Sequence, residues 1–167
     1  PGSLYGRFFE RVARKAYAAA DLVVSVSPGK VEKLRRRVPN GKVVLVPNGI
    51  DEAFLGNLED PDLAERLRLD DGPVCAYVGN IGLAQGLGTL LGIAKARPSV
   101  RFLLFGDGAD MVNLEARADA EGIGNVEFCG KVDASGVCTV LKHAAVSYVP
   151  LVSSRLRDSI PTKMYEA

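Results

Sequence analysis

The chain has 167 residues, with 21 Lys plus Arg against 20 Asp plus Glu and a formal net charge of +1. That balance lacks the marked basic excess of a nucleic-acid binder, and no run reaches the roughly 18 apolar residues of a membrane span. Hydrophobic residues at 47% and charged residues at 25% match a soluble globular chain, long enough to bury a core.

Residues 4–20 read as a helix, with Leu4, Phe8, Val12 and Tyr17 recurring near helical period and Arg7, Arg11, Arg14 and Lys15 between them. No secretory leader pattern precedes it. The β-branched run 22–26 reads as a buried strand. Ser27-Pro28 has the cap-then-proline pattern of a helix start, and that helix reaches about Arg37 before Pro39-Asn40-Gly41 breaks it. Residues 42–46 form a second buried strand, closed by Pro47-Asn48-Gly49. The stretch 50–72 is polar. It holds Asp60-Pro61 and a short helix near 63–69, and reads as a linker.

A second α/β series follows. Strands are expected at 74–78, 101–105, 126–129 and 145–149, and helices at 86–96, 111–121 and 137–143. A loop over 150–159 leads to another helix start at Pro161. Strands alternating with helices imply a parallel sheet covered on both faces, and near-continuous apolar strands agree. In such sheets ligands bind at the carboxyl ends of the strands. The chain opens inside a helix pattern and ends at Met164-Tyr165-Glu166-Ala167, one turn into an apolar helix, and so reads as a fragment.

The residues that carry chemistry cluster at those strand ends. Gly79-Asn80-Ile81-Gly82-Leu83-Ala84-Gln85-Gly86 joins a strand to a helix. Glycines there admit a phosphate to the backbone, and a helix start offers free N–H groups. The same stretch would also serve as a turn with no ligand. Its spacing is not the G-x-G-x-x-G of dinucleotide folds, which weakens a reading of Asp107 as the ribose acid of an NAD enzyme. In Phe105-Gly106-Asp107-Gly108, Asp107 reads equally as a cap on the next helix. Asp158 and Glu166 flank Ser159-Ile160-Pro161-Thr162-Lys163. One acid would face a ligand from the loop and the other from the helix, although both could equally be solvated.

Asp60-Pro61-Asp62 could hold a divalent ion but follows no apolar strand and reads as a helix cap. No metal site is expected. His143, the only histidine, ends a helix, where capping or packing suits it better than catalysis. The thiols Cys75, Cys129 and Cys138 have no metal-type spacing and read as reduced core residues, which implies a cytoplasmic setting. Basic runs at residues 7–15 and 30–37 read as solvated helix faces. They leave open a peripheral contact with the inner face of a membrane.

Six collinear elements together resemble the group 1 (family 4) glycosyltransferases of GT-B fold. They are Ala20-Asp21-Leu22-Val23-Val24-Ser25-Val26-Ser27; Val46-Pro47-Asn48-Gly49-Ile50-Asp51 with Phe54; the Gly79 loop; Phe105-Gly106-Asp107-Gly108; Asn125-Val126-Glu127-Phe128-Cys129-Gly130; and Pro161-Thr162-Lys163-Met164-Tyr165-Glu166. The resemblance implies a truncated α/β chain. Residues 1–50 would be the tail of an N-terminal acceptor-side domain, 51–72 the linker region, and 73–167 an incomplete C-terminal nucleotide-sugar-binding domain.

It further implies a retaining, metal-independent transferase of hexosyl type, acting in bacterial surface polysaccharide synthesis on a glycan or lipid-linked acceptor. A nucleotide sugar, more readily a UDP-sugar than a GDP-sugar, would be the substrate, with no cofactor. Gly79 and Gly82 would lie against the diphosphate, with Asn80 and Gln85 where many members carry Arg and Lys. Gly130, Lys131 and Val132 would lie near the base through backbone groups. Glu166 would hold the ribose and Asp158 the transferred sugar, one methylene shorter than the Glu of the family. Lys163 would supply the missing cation, with Arg155 or Arg157 in reserve. The alternatives are a non-catalytic nucleotide-binding module that needs a partner, and an NAD-binding Rossmann domain.

Overall fold

The computed structural model describes residues 4–38, 41–50, 58–150, 161 and 164. The chain divides into two compact units, with the boundary in sequence between Gly49 and Ile50. Asp158, Lys163 and Glu166, like Arg155, Arg157, Asp51 and Phe54, lie outside the described residues.

The first unit runs α1 (Leu4–Ala19), β1 (Val23–Ser25), α2 (Pro28–Arg35) and β2 (Val43–Leu45). β1 and β2 pair in parallel, with Val23 opposite Val43. The Ser27 hydroxyl accepts a hydrogen bond from the Lys30 N–H at 3.3 Å, and Pro28 opens α2. This is the start expected from Ser27-Pro28, because proline gives up an N–H that the first turn cannot use. Val31, Val38 and Val43 form a small core, on which Tyr17 of α1, Val23 and Leu34 pack. The two strands are not the buried strands that their composition suggests. Val24 of β1 is 51% exposed and Leu45 of β2 is 41% exposed. α2 packs on these strands, but the outward-facing side chains of the pair have no cover among the described residues. α1 buries no residue fully, and Leu4, Tyr5, Phe8 and Phe9 stand in solvent.

The second unit contains α3 (Pro61–Arg66), β3 (Val74–Val78), α4 (Gly88–Ala96), β4 (Arg101–Phe105), α5 (Met111–Ala120), β5 (Val126–Gly130), α6 (Ala134–His143) and β6 (Val146–Ser147). The strands form one parallel sheet in the order β5-β4-β3-β6. Alternate side chains of a strand point to opposite faces, and each face has its own core. Cys75, Tyr77, Phe102 and Leu104 pack with Leu90 and Leu91 of α4 and Leu114 of α5. Val74, Ala76, Leu103 and Phe105 pack with Leu63, Leu69 and Val140 of α6. This is the α/β fold with helices on both faces that the alternation of elements implied.

Residues 61–69, read as part of a linker, are docked in this unit, with Leu63 and Leu69 each 2% exposed. The Asp60 carboxylate accepts the Leu63 N–H at 3.0 Å and caps α3. The Asp60 N–H donates to the Thr139 hydroxyl at 2.6 Å, and Lys142 pairs with Glu59. Two buried leucines and these polar ties fix a segment whose polar composition resembles a linker.

From β3 the chain builds outward through β4 and β5, and α6 then carries it back to β6 on the other side of β3. The order reverses at β3. Connections diverge there, and this opens a crevice beyond the carboxyl ends of the strands.

Candidate functional site

A cavity of about 560 Å³ lies at those carboxyl ends. Val78–Asn80 at the end of β3, Phe105–Gly108 at the end of β4, and Lys131 and Val132 after β5 line it, with Val137 from α6. Of the residues expected to bind a donor, Gly79, Asn80, Lys131 and Val132 come together here. Gly82, Gln85 and Gly130 are not among the lining residues.

Backbone hydrogen bonds hold the loops of this cavity to one another. The Gly79 N–H donates to the Phe105 carbonyl at 2.8 Å, the Ile81 N–H to the Asp107 carbonyl at 2.9 Å, and the Asp110 N–H to the Ile81 carbonyl at 3.0 Å. The Gly106 N–H donates to the Gly130 carbonyl at 2.7 Å, and the Tyr77 hydroxyl to the Asn80 carbonyl at 2.6 Å. Ile81 is wholly buried and anchors the first loop. Three strand ends therefore share one frame.

The close approach of these loops requires glycine at two positions. Gly106 has φ +134°, and a Cβ there would overlap the Gly79 carbonyl oxygen. A Cβ on Gly108 would overlap the Ile81 carbonyl. These glycines let backbone lie on backbone, and the loop-to-loop approach alone accounts for them. The helix after the first loop also begins later than expected. Leu83–Gln85 form a 3₁₀ turn, Gly86 adopts φ +63°, and α4 starts at Gly88 without a side-chain cap.

Asp107 lies in the site and does not cap α5, where Asp110 stands at the N-cap. One Asp107 oxygen accepts the Gly108 N–H at 2.7 Å. The other faces the Lys131 ammonium at 3.4 Å. The sequence signal for it was its place between two glycines directly after a strand.

The segment after β5 is steered by α6. Gly136 leaves room for Val132, whose Cβ would lie 2.8 Å from a Cβ on that glycine. Asp133 caps α6, accepting the Gly136 N–H at 2.9 Å and the Ser135 hydroxyl at 2.7 Å. These hydrogen bonds, the Gly136 N–H first, hold its carboxyl below the usual range. Burial, then the charge of Glu127, pushes the Cys129 thiol up to about 12, so it is no thiolate nucleophile at neutral pH. Cys75, Cys129 and Cys138 are all free thiols. His143 ends α6 and meets Asp70 at 2.8 Å, away from the residues that line the cavity. Among the described residues, no helix is long and apolar enough to cross a membrane.

Residues 1–54 match the family model described as Glycosyltransferase Family 4. Solved structures match far more of the chain. Sucrose-phosphate synthase from Thermosynechococcus elongatus is 25% identical with a TM-score of 0.71, and the match covers 89% of this chain and 40% of that one. The fold is that of the GT-B glycosyltransferases. Anabaena HepE, solved with UDP-glucose, has a TM-score of 0.75 at 17% identity over 96% of this chain and 46% of that one. WaaG, a glycosyltransferase involved in lipopolysaccharide biosynthesis, has a TM-score of 0.68 at 12% identity over 90% of this chain and 44% of that one. The chain thus spans less than half the length of these GT-B structures. No curated protein sequence matches it.

Proposed function

We propose that the second unit is the donor-binding part of a retaining, metal-independent glycosyltransferase that takes a sugar from a UDP-sugar. The observation that carries this reading is the cavity at the strand ends beside β3, where the strand order reverses in a GT-B fold. Its walls suit a nucleoside diphosphate, with glycine-rich backbone and a cation, Lys131, among the lining residues. The UDP-glucose bound by HepE supports uridine over guanosine.

In this reading the anomeric carbon–oxygen bond to the diphosphate breaks. A bond to an acceptor hydroxyl forms on the same face, and the hydroxyl proton passes to the departing phosphate oxygen. The main task is to stabilise charge on the leaving diphosphate and on the oxocarbenium-like sugar. Backbone N–H groups at the strand ends that are not spent between the loops, and the Lys163 ammonium, would serve the leaving group. Asp158 would orient the sugar and Glu166 would hold the ribose, as the family resemblance implies. The first unit would belong to the acceptor-side domain. The acceptor would be a glycan or a lipid-linked glycan of bacterial surface polysaccharide synthesis, made at the cytoplasmic side.

Calorimetric titration of the whole protein with UDP, UDP-sugars and then GDP-sugars tests this. Saturable UDP binding tighter than that of GDP and NAD is expected. No binding of any nucleotide sugar at millimolar concentration would sink the proposal, and tighter binding of NAD would replace it with a dinucleotide enzyme.

A further inference from the structure

The described walls of the cavity hold one cationic side chain, Lys131, and one anionic side chain, Asp107, and the two face each other at 3.4 Å. We infer that this pair is an exchangeable counterion device, in which the Lys131 ammonium leaves Asp107 to meet the donor's diphosphate. The inference rests on the nucleotide-sugar reading and assigns the side chain of Lys131 a role beyond the backbone contact with the base.

The sheet order supplies the geometry. Lys131 follows β5, yet its ammonium sits beside Asp107 at the end of β4, the neighbouring strand. β3 is the next strand inward, and Gly79 just after it lies against Gly106 just after β4. Adjacent strands are about 4.8 Å apart, so the ammonium is already displaced from β5 toward the Gly79 loop. Asn80 and Gln85 supply no cation in that loop, and a diphosphate entering a partly enclosed site requires compensation. A lysine on its flexible stem can swing by one strand spacing.

The other Asp107 oxygen accepts the Gly108 N–H at 2.7 Å, which favours keeping the carboxylate at its own loop. When the ammonium leaves, a bare carboxylate stays in the wall. Both partners are more than half exposed, at 59% for Asp107 and 75% for Lys131, so the resting pair is weak enough to exchange. Asp107 thus acts against binding of the free diphosphate, while its pairing keeps Lys131 at the mouth before the donor arrives.

The test compares UDP with uridine on the whole protein, using Lys131→Met, Lys131→Arg and Asp107→Asn. Asparagine retains the oxygen that accepts the Gly108 N–H. Lys131→Met is expected to weaken UDP about fivefold and Asp107→Asn to tighten it about twofold, the scale of an exposed charge pair. Lys131→Arg should bind like the wild type. Uridine affinity should not move in any variant, and the UDP effects should shrink as salt is added. The inference is overturned if Lys131→Met leaves UDP affinity unchanged, if it weakens uridine as much as UDP, or if Asp107→Asn weakens UDP. Failure of the wild type to bind UDP would overturn the nucleotide-sugar reading as well. UDP binding that ignores Lys131 would overturn this inference alone.

Discussion

The two units use similar strand sequences and reach different degrees of burial. β3 reads Val-Cys-Ala-Tyr-Val with its first four residues buried. β1 reads Val-Val-Ser, with only Ser25 buried and Val24 half exposed. The difference lies in what covers them. In the second unit α4 and α5 pack on one face and α3 and α6 on the other. In the first, α2 contacts the strand pair while Leu22, Val24, Leu45 and Val46 stay exposed. A run of β-branched residues therefore marks a strand that can be buried on both faces. Whether it is buried depends on elements elsewhere in the chain.

Point substitutions separate the covered strands of the second unit from the open ones of the first. The largest effect is expected at Leu104, which is fully buried in β4. Leu104→Ala should cost about 2–5 kcal/mol in denaturant unfolding of the second unit, by lost transfer energy and the cavity left behind. A cost below about 1 kcal/mol would mean that this core is not closed.

A smaller, pH-dependent effect is expected at Asp133, whose folded carboxyl is held low by the α6 cap. A depressed folded pKa adds stability above the unfolded value, near 4, and that stability is lost as pH falls through the folded value. Asp133→Ala should therefore lower Tm at neutral pH, and the difference from wild type should close on acidification toward pH 2. A difference that persists unchanged at low pH would contradict the cap.

The smallest effect is expected on α1. Phe8 is 61% exposed, so Phe8→Ala should change unfolding free energy by no more than about 0.5 kcal/mol. A loss above about 2 kcal/mol in the whole protein would show that this face is covered there.

Much of the second unit was legible from sequence. The expected bounds of β3 and β4 coincide with the observed ones, because apolar runs between turn residues leave little choice of register. α6 starts at Ala134, three residues before its expected start at Val137. Asp133-Ala134-Ser135-Gly136 looks like a turn, and Asp133 is in fact its N-cap. The 3₁₀ turn at Leu83–Gln85 was hidden by a glycine-rich stretch that reads as a helix start.

The candidate site was legible only in part. Gly79, Asn80, Lys131 and Val132 lie just after strand ends, where parallel topology alone puts them. The pairing of Asp107 with Lys131 was not legible, because these residues follow different strands and meet only through the order β5-β4-β3. The sequence offers no specific role for the two glycines of the loop after β4. Their strictest constraint is the backbone of the neighbouring loop, which no single-sequence pattern reveals.

We propose above that the strand-end cavity of the second unit binds a nucleoside diphosphate. Amide hydrogen exchange on the whole protein, with and without saturating UDP, tests it most directly. Slowed exchange is expected at residues 79–82, 106–108 and 130–132 together. Unchanged exchange in all three segments, or protection confined to other parts of the chain, would contradict it.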